Sequence, residues 1–151
     1  MNAHGEVAEP GRAWALLLAR LVLGLIFFMT GIYKIFDVGL IEQAESLFVE
    51  PYSDTFLPVW SLWASGVTVP FVELIAGLLV IVGLWRKPAY LALGGVLVLV
   101  TFGHLLANPF FPFHHDVFPR ALLVVLLLWA GPAADRYSID ELRQADLNDA
   151  S

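Results

Sequence analysis

Four long apolar runs constrain the fold of this chain more than any other feature of its sequence. They are Ala13–Ile35, Val69–Trp85, Pro88–Ala107 and Val117–Gly131, with 23, 17, 20 and 15 residues. A helix that crosses a bilayer needs about 20 apolar residues, and the short fourth run needs local thinning of the bilayer or an extension through Ala133–Ala134. Because the runs do not alternate with period two, they predict helices rather than a closed barrel. We therefore expect an all-α fold, a bundle of four transmembrane helices in a single membrane domain.

The overall composition agrees with a lipid environment and excludes several classes of function. Hydrophobic residues make up 59% of the chain and charged residues 15%, whereas soluble domains average about 45–50% and about 25%. The net charge of −6 and the absence of a basic stripe argue against a nucleic-acid partner. The chain has no cysteine, which excludes disulfides, thiolate nucleophiles and iron–sulfur ligation.

The connection between the first two runs is too long to be a simple turn. Its first half repeats apolar residues at helical spacing, namely Leu40, Ile41, Ala44, Leu47 and Phe48. This pattern is typical of an amphipathic helix that lies in the membrane interface. Pro51–Asp54 interrupts the pattern, and the residues that follow are rich in interfacial aromatic side chains such as Trp60 and Trp63. We therefore expect an amphipathic interfacial segment over residues 39–65 in the first outer loop.

The distribution of lysine and arginine sets the expected orientation in the membrane. Five of these residues flank one side of the predicted spans: Arg12, Arg86, Lys87, Arg136 and Arg143. Only Lys34 and Arg120 flank the other side. Because cytoplasmic loops carry the excess of Lys and Arg, we expect a multi-pass protein of the cell (inner) membrane with both termini in the cytoplasm.

Four ionisable residues from four different spans are expected at one depth, near the outer boundary of the bilayer. These residues are Lys34, Glu73, His104 and Arg120, and Thr101 lies one turn below His104. Ionisable groups at membrane depth are costly, which makes them functional candidates. Two interpretations stay open: a structural clamp that fixes the register of the bundle, or a binding site for a small anionic or quinone-like ligand. For His104 alone, the pattern favours a hydrogen-bonded core histidine over a metal ligand.

The inner half of the first span carries one charged residue, Arg20. Its expected partner is Asp135 or Asp140, which follow the fourth span, and such a pair would act as an inner latch between the first helix and the tail. Alternatively, the Arg20 side chain extends to the inner headgroups. His114 and His115 are adjacent and point to different faces of a helix, so no metal or haem site is expected.

Several short motifs occur in an order and spacing that are specific when taken together. They are Arg20 and Gly31-Ile32-Tyr33-Lys34 in the first span, Val69-Pro70-Phe71-Val72-Glu73 with Gly77 and Gly83 in the second, His104 at the end of the third, and the closing Gly131-Pro132 and Arg136-Tyr137-Ser138-Ile139-Asp140. From Ala13 to Asp140 the chain resembles the DoxX family of small four-helix membrane proteins. The resemblance identifies a set of family motif residues, namely Arg20, Gly31, Lys34, Glu73, Gly77, Gly83 and Asp140. It also implies redox partners, because some members are subunits of thiosulfate:quinone oxidoreductase and others associate with redox or stress-defence proteins.

The charged layer and the resemblance together suggest a function. We hypothesise a membrane subunit of a quinone-linked redox complex that has no independent catalytic activity. Lys34, His104 and Arg120 would donate hydrogen bonds to a quinone, and Glu73 would accept or relay a proton. Sulfur oxidation would need a partner subunit, since the chain has no cysteine.

The expected partners are the lipid bilayer and either other membrane or redox subunits or further copies of this chain in a homo-oligomer. Two alternatives to the quinone hypothesis stay open. One is a structural or assembly protein with no ligand. The other is a small-molecule carrier, although four spans are few for alternating access within one chain.

Overall fold

The computed structural model describes residues 10–108, 110, 112–131 and 137–143, and every regular element within these residues is helical. The α-helices are α1 (Pro10–Ile32), α2 (Leu40–Ala44), α3 (Val59–Val82), α4 (Arg86–Ala107), α5 (Phe113–Asp116) and α6 (Phe118–Ala130). Wider turns of π-helix, Tyr33–Gly39 and Glu45–Val49, flank α2, and the short 3₁₀ helix Glu50–Tyr52 follows.

Three helical stretches are long and apolar enough to cross a membrane: Gly11–Tyr52, Val59–Val82 and Arg86–Ala107. Large apolar side chains on these stretches and on α6 point away from the bundle, as the exposure of Leu18, Val98 and Trp129 shows. The chain is therefore a membrane protein whose surface contacts lipid. The fourth apolar run forms α6, which has only 13 residues, so the expected count of four spans stays a prediction.

Two helix boundaries differ from those expected. The helix that contains the first apolar run does not end at Ile35. Helical structure continues through the π-helical turns to Tyr52, with a local break at Gly39, where φ is +90°. The helix that contains the second apolar run, α3, begins at Val59, ten residues before Val69. Pro70 lies in the middle of α3. Proline has no backbone N–H to donate, a loss that membrane helices tolerate. The loop between the two helices is consequently short, and the interfacial location of residues 39–65 stays a prediction.

Among the described residues, α1 and α3 pack closely against each other at glycines. An added Cβ atom on Gly77 would lie 2.6 Å from the backbone nitrogen of Phe28, and one on Gly31 would lie 2.7 Å from that of Leu74. Farther along, Gly66 of α3 meets the backbone of Ala44 in the same way. Small residues at such contacts let two backbones approach, which is the usual basis of helix association in lipid. The whole stretch from α1 to α2 is thereby held antiparallel to α3.

Helices α4 and α6 complete the bundle. The apolar core is formed by residues of α1, α3, α4 and α6, among them Leu23, Phe27, Val80, Leu93 and Leu127. Because Phe27, Val80 and Leu93 come from three different helices and are almost fully buried, the interior is tightly packed between the two ends of the bundle. These ends are named here by a residue that each carries, the Lys34 end and the Arg86 end.

Candidate functional site

A buried ion pair joins the first and third helices at the Lys34 end. The Nζ atom of Lys34 lies 2.7 Å from Oε2 of Glu73. The Lys34 side chain is 18% exposed and that of Glu73 only 4%. Lys34 lies in the π-helical turn that follows α1, and Glu73 lies in α3, one turn from Gly77. Close approach of the two backbones thus places a lysine and a carboxylate within charge-assisted hydrogen-bond distance.

Arg120 of α6 contributes a second cation to this end. Its Cζ atom lies 5.9 Å from the centroid of the Phe27 ring, a distance at which a guanidinium and an aromatic face attract each other. Arg120 is also close enough to Glu73 for a coulombic attraction between them. The structure therefore brings Lys34, Glu73 and Arg120 together, from three helices.

Thr101 and His104 of α4 are less directly connected to the ion pair. The hydroxyl of Thr101 donates to the carbonyl of Leu97 at 2.6 Å, and Nδ1 of His104 lies 2.7 Å from the carbonyl of Val100. Both are bonds to the preceding turn of the same helix. Thr101 is thus held against its own backbone, whereas His104 meets Lys34 across a cavity.

This cavity, about 500 Å³ in volume, lies at the Lys34 end between the residues that precede Tyr52, α3 and α4. Its polar lining consists of Lys34, Tyr52, Ser61, Ser65, His104 and Asn108, and its other walls are mostly apolar. Ligand pockets in proteins typically have about 300–1,000 Å³ and a few polar groups in an apolar lining. We refer to this space as the Lys34 cavity.

Four polar residues of the Lys34 cavity were missed by the sequence analysis, namely Tyr52, Ser61, Ser65 and Asn108. Tyr52 is 8% exposed, and its hydroxyl packs against Gly103 of α4. Ser61 and Ser65 are one helical turn apart in an otherwise apolar stretch, and this spacing was a usable signal for one polar face. Tyr52 carried no such signal, because only the fold brings it to α4.

At the Arg86 end, Arg20 is 2% exposed and ties together three parts of the chain. Its guanidinium donates to the carbonyls of Val80 at 2.9 Å, Ile81 at 2.7 Å and Tyr137 at 2.8 Å. The first two carbonyls belong to the last turn of α3, where a cation is favourable beside the carbonyl end of a helix. Arg20 therefore connects α1, the end of α3 and the segment 137–143.

At the same end, Asp140 is bonded to the start of α4, and the expected latch between Arg20 and Asp135 or Asp140 stays a prediction. The Asp140 carboxylate accepts hydrogen bonds from the backbone nitrogens of Trp85 and Arg86, at 3.0 and 3.1 Å, and from Nε of Arg86 at 3.3 Å. Trp85 is the first flanking residue of α4 and has no capping side chain of its own. Asp140 therefore caps α4 from a distant part of the sequence, because unsatisfied donors at a helix start attract a carboxylate. The other expected partner, Asp135, lies outside the described residues.

The charge of Asp140 is stabilised by this capping. Partial burial acts against ionisation, but the hydrogen bonds from the backbones of Arg86 and Trp85 and from the Arg86 guanidinium outweigh it and lower the pKa of Asp140. A carboxyl with a lowered pKa in the folded state stabilises the fold above its ordinary pKa of about 3.9, and this contribution is lost as the pH falls below that value.

Asp140→Ala is therefore expected to lower the thermal midpoint at pH 7, by the equivalent of about 0.5–2 kcal/mol for a lost helix cap. The difference between wild type and variant should shrink as the pH falls below about 4. This difference in thermal midpoint is measured in detergent over a pH series, with circular dichroism as the signal for unfolding. Glu141→Ala is the matched control, because Glu141 lies 3.9 Å from Arg86 and is more exposed. A difference in thermal midpoint between Asp140→Ala and wild type that does not change with pH would contradict the capping of α4 by the Asp140 carboxylate.

Within the described residues, no group of three or more His, Asp or Glu side chains is placed to hold a metal ion. The side chains of His114 and Asp116 lie outside the described residues, so the expectation of no metal site at His114 and His115 stays a prediction.

A family model described as DoxX matches residues 15–105. The chain belongs to the DoxX family. The matched region contains Arg20, Lys34, Glu73 and His104, and with them both sides of the buried ion pair and most of the Lys34 cavity. It ends before Gly131, so the closing motifs of the resemblance lie beyond it. No curated protein and no solved structure matches the chain.

Proposed function

We propose that this DoxX-family protein is a membrane subunit of a quinone-linked redox complex and that the Lys34 cavity holds the quinone. The observation that carries the proposal is an apolar cavity of about 500 Å³ with a lysine and a histidine in its wall. A quinone combines an apolar body with carbonyl oxygens that accept hydrogen bonds. The cavity offers the matching chemistry, since its polar groups are few and include strong donors.

The residues around the cavity have distinct roles in this proposal. Lys34 and His104 donate hydrogen bonds to the quinone oxygens, and Arg120 adds positive potential from behind the ion pair. Glu73 holds Lys34 in place and can accept or relay a proton. A bound quinone would accept electrons, and a partner subunit would supply them. We expect no independent catalytic activity of this chain.

The orientation of the molecule is part of the same proposal. Arg12, Arg86 and Lys87 lie toward the Arg86 end, and the positive-inside rule places that end in the cytoplasm. Both termini are then cytoplasmic, and the Lys34 cavity opens near the outer boundary of the cell (inner) membrane. The 39–65 segment then lies at the outer interface, and α6 serves as a fourth, short span.

The proposal is tested by filling the cavity. Ser61→Phe places a ring in the Lys34 cavity, while Ala64→Phe, on the same helix, adds the same ring in an exposed position outside it. Protein is purified from native membranes in mild detergent, and extracted quinone is quantified by liquid chromatography. We expect quinone with wild type and with Ala64→Phe, and at least about a tenfold loss with Ser61→Phe, since overpacking excludes the ligand. Equal quinone content in the two variants, or none in wild type, contradicts the proposal.

A second candidate function is a structural or assembly role, which the short Lys34–Glu73 ion pair favours because such pairs can fix helix register. In that case Ser61→Phe leaves the recovery of partner subunits unchanged, whereas Glu73→Gln lowers the stability of the bundle and partner recovery together. Mass spectrometry of the gently solubilised complex separates the two candidates, since it reports retained ligands and partners at once.

A further inference from the structure

The charges at the Lys34 end do not balance among the described residues. Lys34 and Arg120 are both cations, and Glu73 is the one carboxylate near them among the described side chains. The acidic residues of the segment 33–52 are all exposed: Asp37, Glu42, Glu45 and Glu50. None of the described residues that line the Lys34 cavity is acidic. Since an uncompensated charge at membrane depth is costly, the site is suited to a ligand that carries a single negative charge.

Lys34 is shared between Glu73 and the cavity. Its ammonium group lies 2.7 Å from Glu73, and the same side chain lines the Lys34 cavity, which Glu73 does not. An anion that enters the cavity therefore competes with Glu73 for Lys34. Arg120 already attracts Glu73, so the carboxylate keeps a cation nearby when Lys34 turns to the ligand. Two pairs result, Lys34 with the ligand and Glu73 with Arg120, and no proton needs to move.

We propose that the Lys34 cavity selects a monoanionic amphiphile, whose head group takes Lys34 from Glu73 and whose apolar chain packs along the cavity wall. The wall provides matching apolar surface through Leu47, Phe48, Leu62 and Leu99. The inference rests on the proposed function, from which it takes the location of the site. What it adds is the charge of the ligand and the exchange of ion pairs. Two sources share this chemistry: a long-chain carboxylate of the membrane, and the deprotonated form of a hydroxyquinone or reduced quinone.

The experiment compares ligands with the same tail and different head groups. Binding of tritiated palmitate and of 1-hexadecanol to the purified protein in maltoside micelles is measured by equilibrium dialysis at pH 7.5. Palmitate should bind about tenfold or more tightly than the alcohol, because a charge-assisted hydrogen bond to Lys34 is made only by the acid. Equal affinities for the two ligands would overturn the inference.

Variants test the exchange of ion pairs itself. Glu73→Gln removes the competitor for Lys34, so palmitate affinity should rise several-fold while hexadecanol affinity stays constant. Arg120→Met removes the cation that compensates Glu73, without touching the ion pair, and should reduce the preference for palmitate. Circular dichroism and size-exclusion profiles verify that each variant is folded. A loss of palmitate affinity in Glu73→Gln, with the fold intact, contradicts the proposed exchange.

Two further ligands separate the inference from the proposed function and the two sources from each other. Decylubiquinone is uncharged: if it binds while palmitate shows no preference over hexadecanol, the proposed function stands and the inference is wrong. If palmitate is preferred and decylubiquinone does not bind, the inference stands and the quinone role falls. An alkylated hydroxynaphthoquinone that is anionic at pH 7.5 identifies a quinone source when it binds more tightly than palmitate, and a lipid carboxylate source when it binds less tightly.

Discussion

Replacing Gly77 with leucine will prevent this protein from folding into its bundle. A single Cβ atom at this position would already lie 2.6 Å from the backbone nitrogen of Phe28 and 3.1 Å from the carbonyl oxygen of Gly24. Backbone atoms cannot rotate away as a side chain can, so α1 and α3 would have to separate along their length. Overpacking of a well-packed site costs about 1–3 kcal/mol and occasionally more, and we expect the larger effect because the Lys34–Glu73 ion pair would be pulled apart as well.

Gly95→Leu is the matched control for this change. Gly95 lies in α4, in the middle of a predicted span like Gly77, but an added Cβ there meets no atom within 4 Å. Both variants are expressed in membranes, extracted in maltoside and compared by size-exclusion chromatography and thermal unfolding. We expect a monodisperse, folded peak for Gly95→Leu and aggregation or loss of protein for Gly77→Leu. The opposite order of stabilities would show that α1 and α3 are not packed as described.

The second large effect concerns the ion pair. Lys34→Met leaves the carboxylate of Glu73, which is 4% exposed, without its nearest cation. Removal of one partner of a buried pair destabilises a protein by about 3–5 kcal/mol, because the remaining charge is uncompensated. The attraction of Arg120 to Glu73 reduces this loss but cannot replace a contact of 2.7 Å. We therefore expect a clear drop in the free energy of unfolding in mixed micelles.

The double variant Lys34→Met/Glu73→Leu separates two contributions to the free energy of unfolding. One is the cost of leaving the Glu73 carboxylate without a cation, and the other is the loss of the Lys34–Glu73 contact itself. With both charged groups replaced by apolar ones, stability should return to near the wild-type value, since apolar residues often substitute for a buried pair at no net cost. The coupling free energy between the two positions then follows from the double-mutant cycle. If the double variant is as unstable as Lys34→Met alone, the two residues do not act as a pair in the folded protein.

Some helices of the bundle could be predicted closely from the sequence, because hydropathy marks where an apolar stretch begins and ends. The predicted run Pro88–Ala107 and the observed α4, Arg86–Ala107, differ by only two residues. The start of α3 could not be predicted in this way. Its first turns contain Ser61 and Ser65, which interrupt the apolar run, and these serines face a cavity that hydropathy does not reveal.

The candidate site was accessible from the sequence in part. The spacing from Gly31 to Lys34, and from Glu73 to Gly77, places each charged residue beside a glycine that allows close contact, so a pair between them was a natural expectation. The wall that faces His104 was not accessible, because it is formed where the helical stretch through Tyr52 meets α4. Such a contact between distant parts of the chain leaves no periodic trace in the sequence.

The choice of partner for Asp140 shows why some contacts could not be predicted from the sequence. A carboxylate after the last apolar run had two arginines within reach at the same end of the bundle, Arg20 and Arg86. Charge alone does not distinguish between them. The backbone donors at the start of α4 decide the outcome, since Asp140 satisfies two of them together with the Arg86 side chain.

The cap that Asp140 supplies to α4 also has a consequence for biosynthesis. Asp140 bonds to the backbone of Arg86, 54 residues earlier in the chain, so the ribosome must translate the whole of α4 and α6 before the cap exists. During that interval the backbone donors of Trp85 and Arg86 lack the carboxylate that they bond in the folded protein. The start of α4 is therefore capped only after the residues that follow α6 have been synthesised.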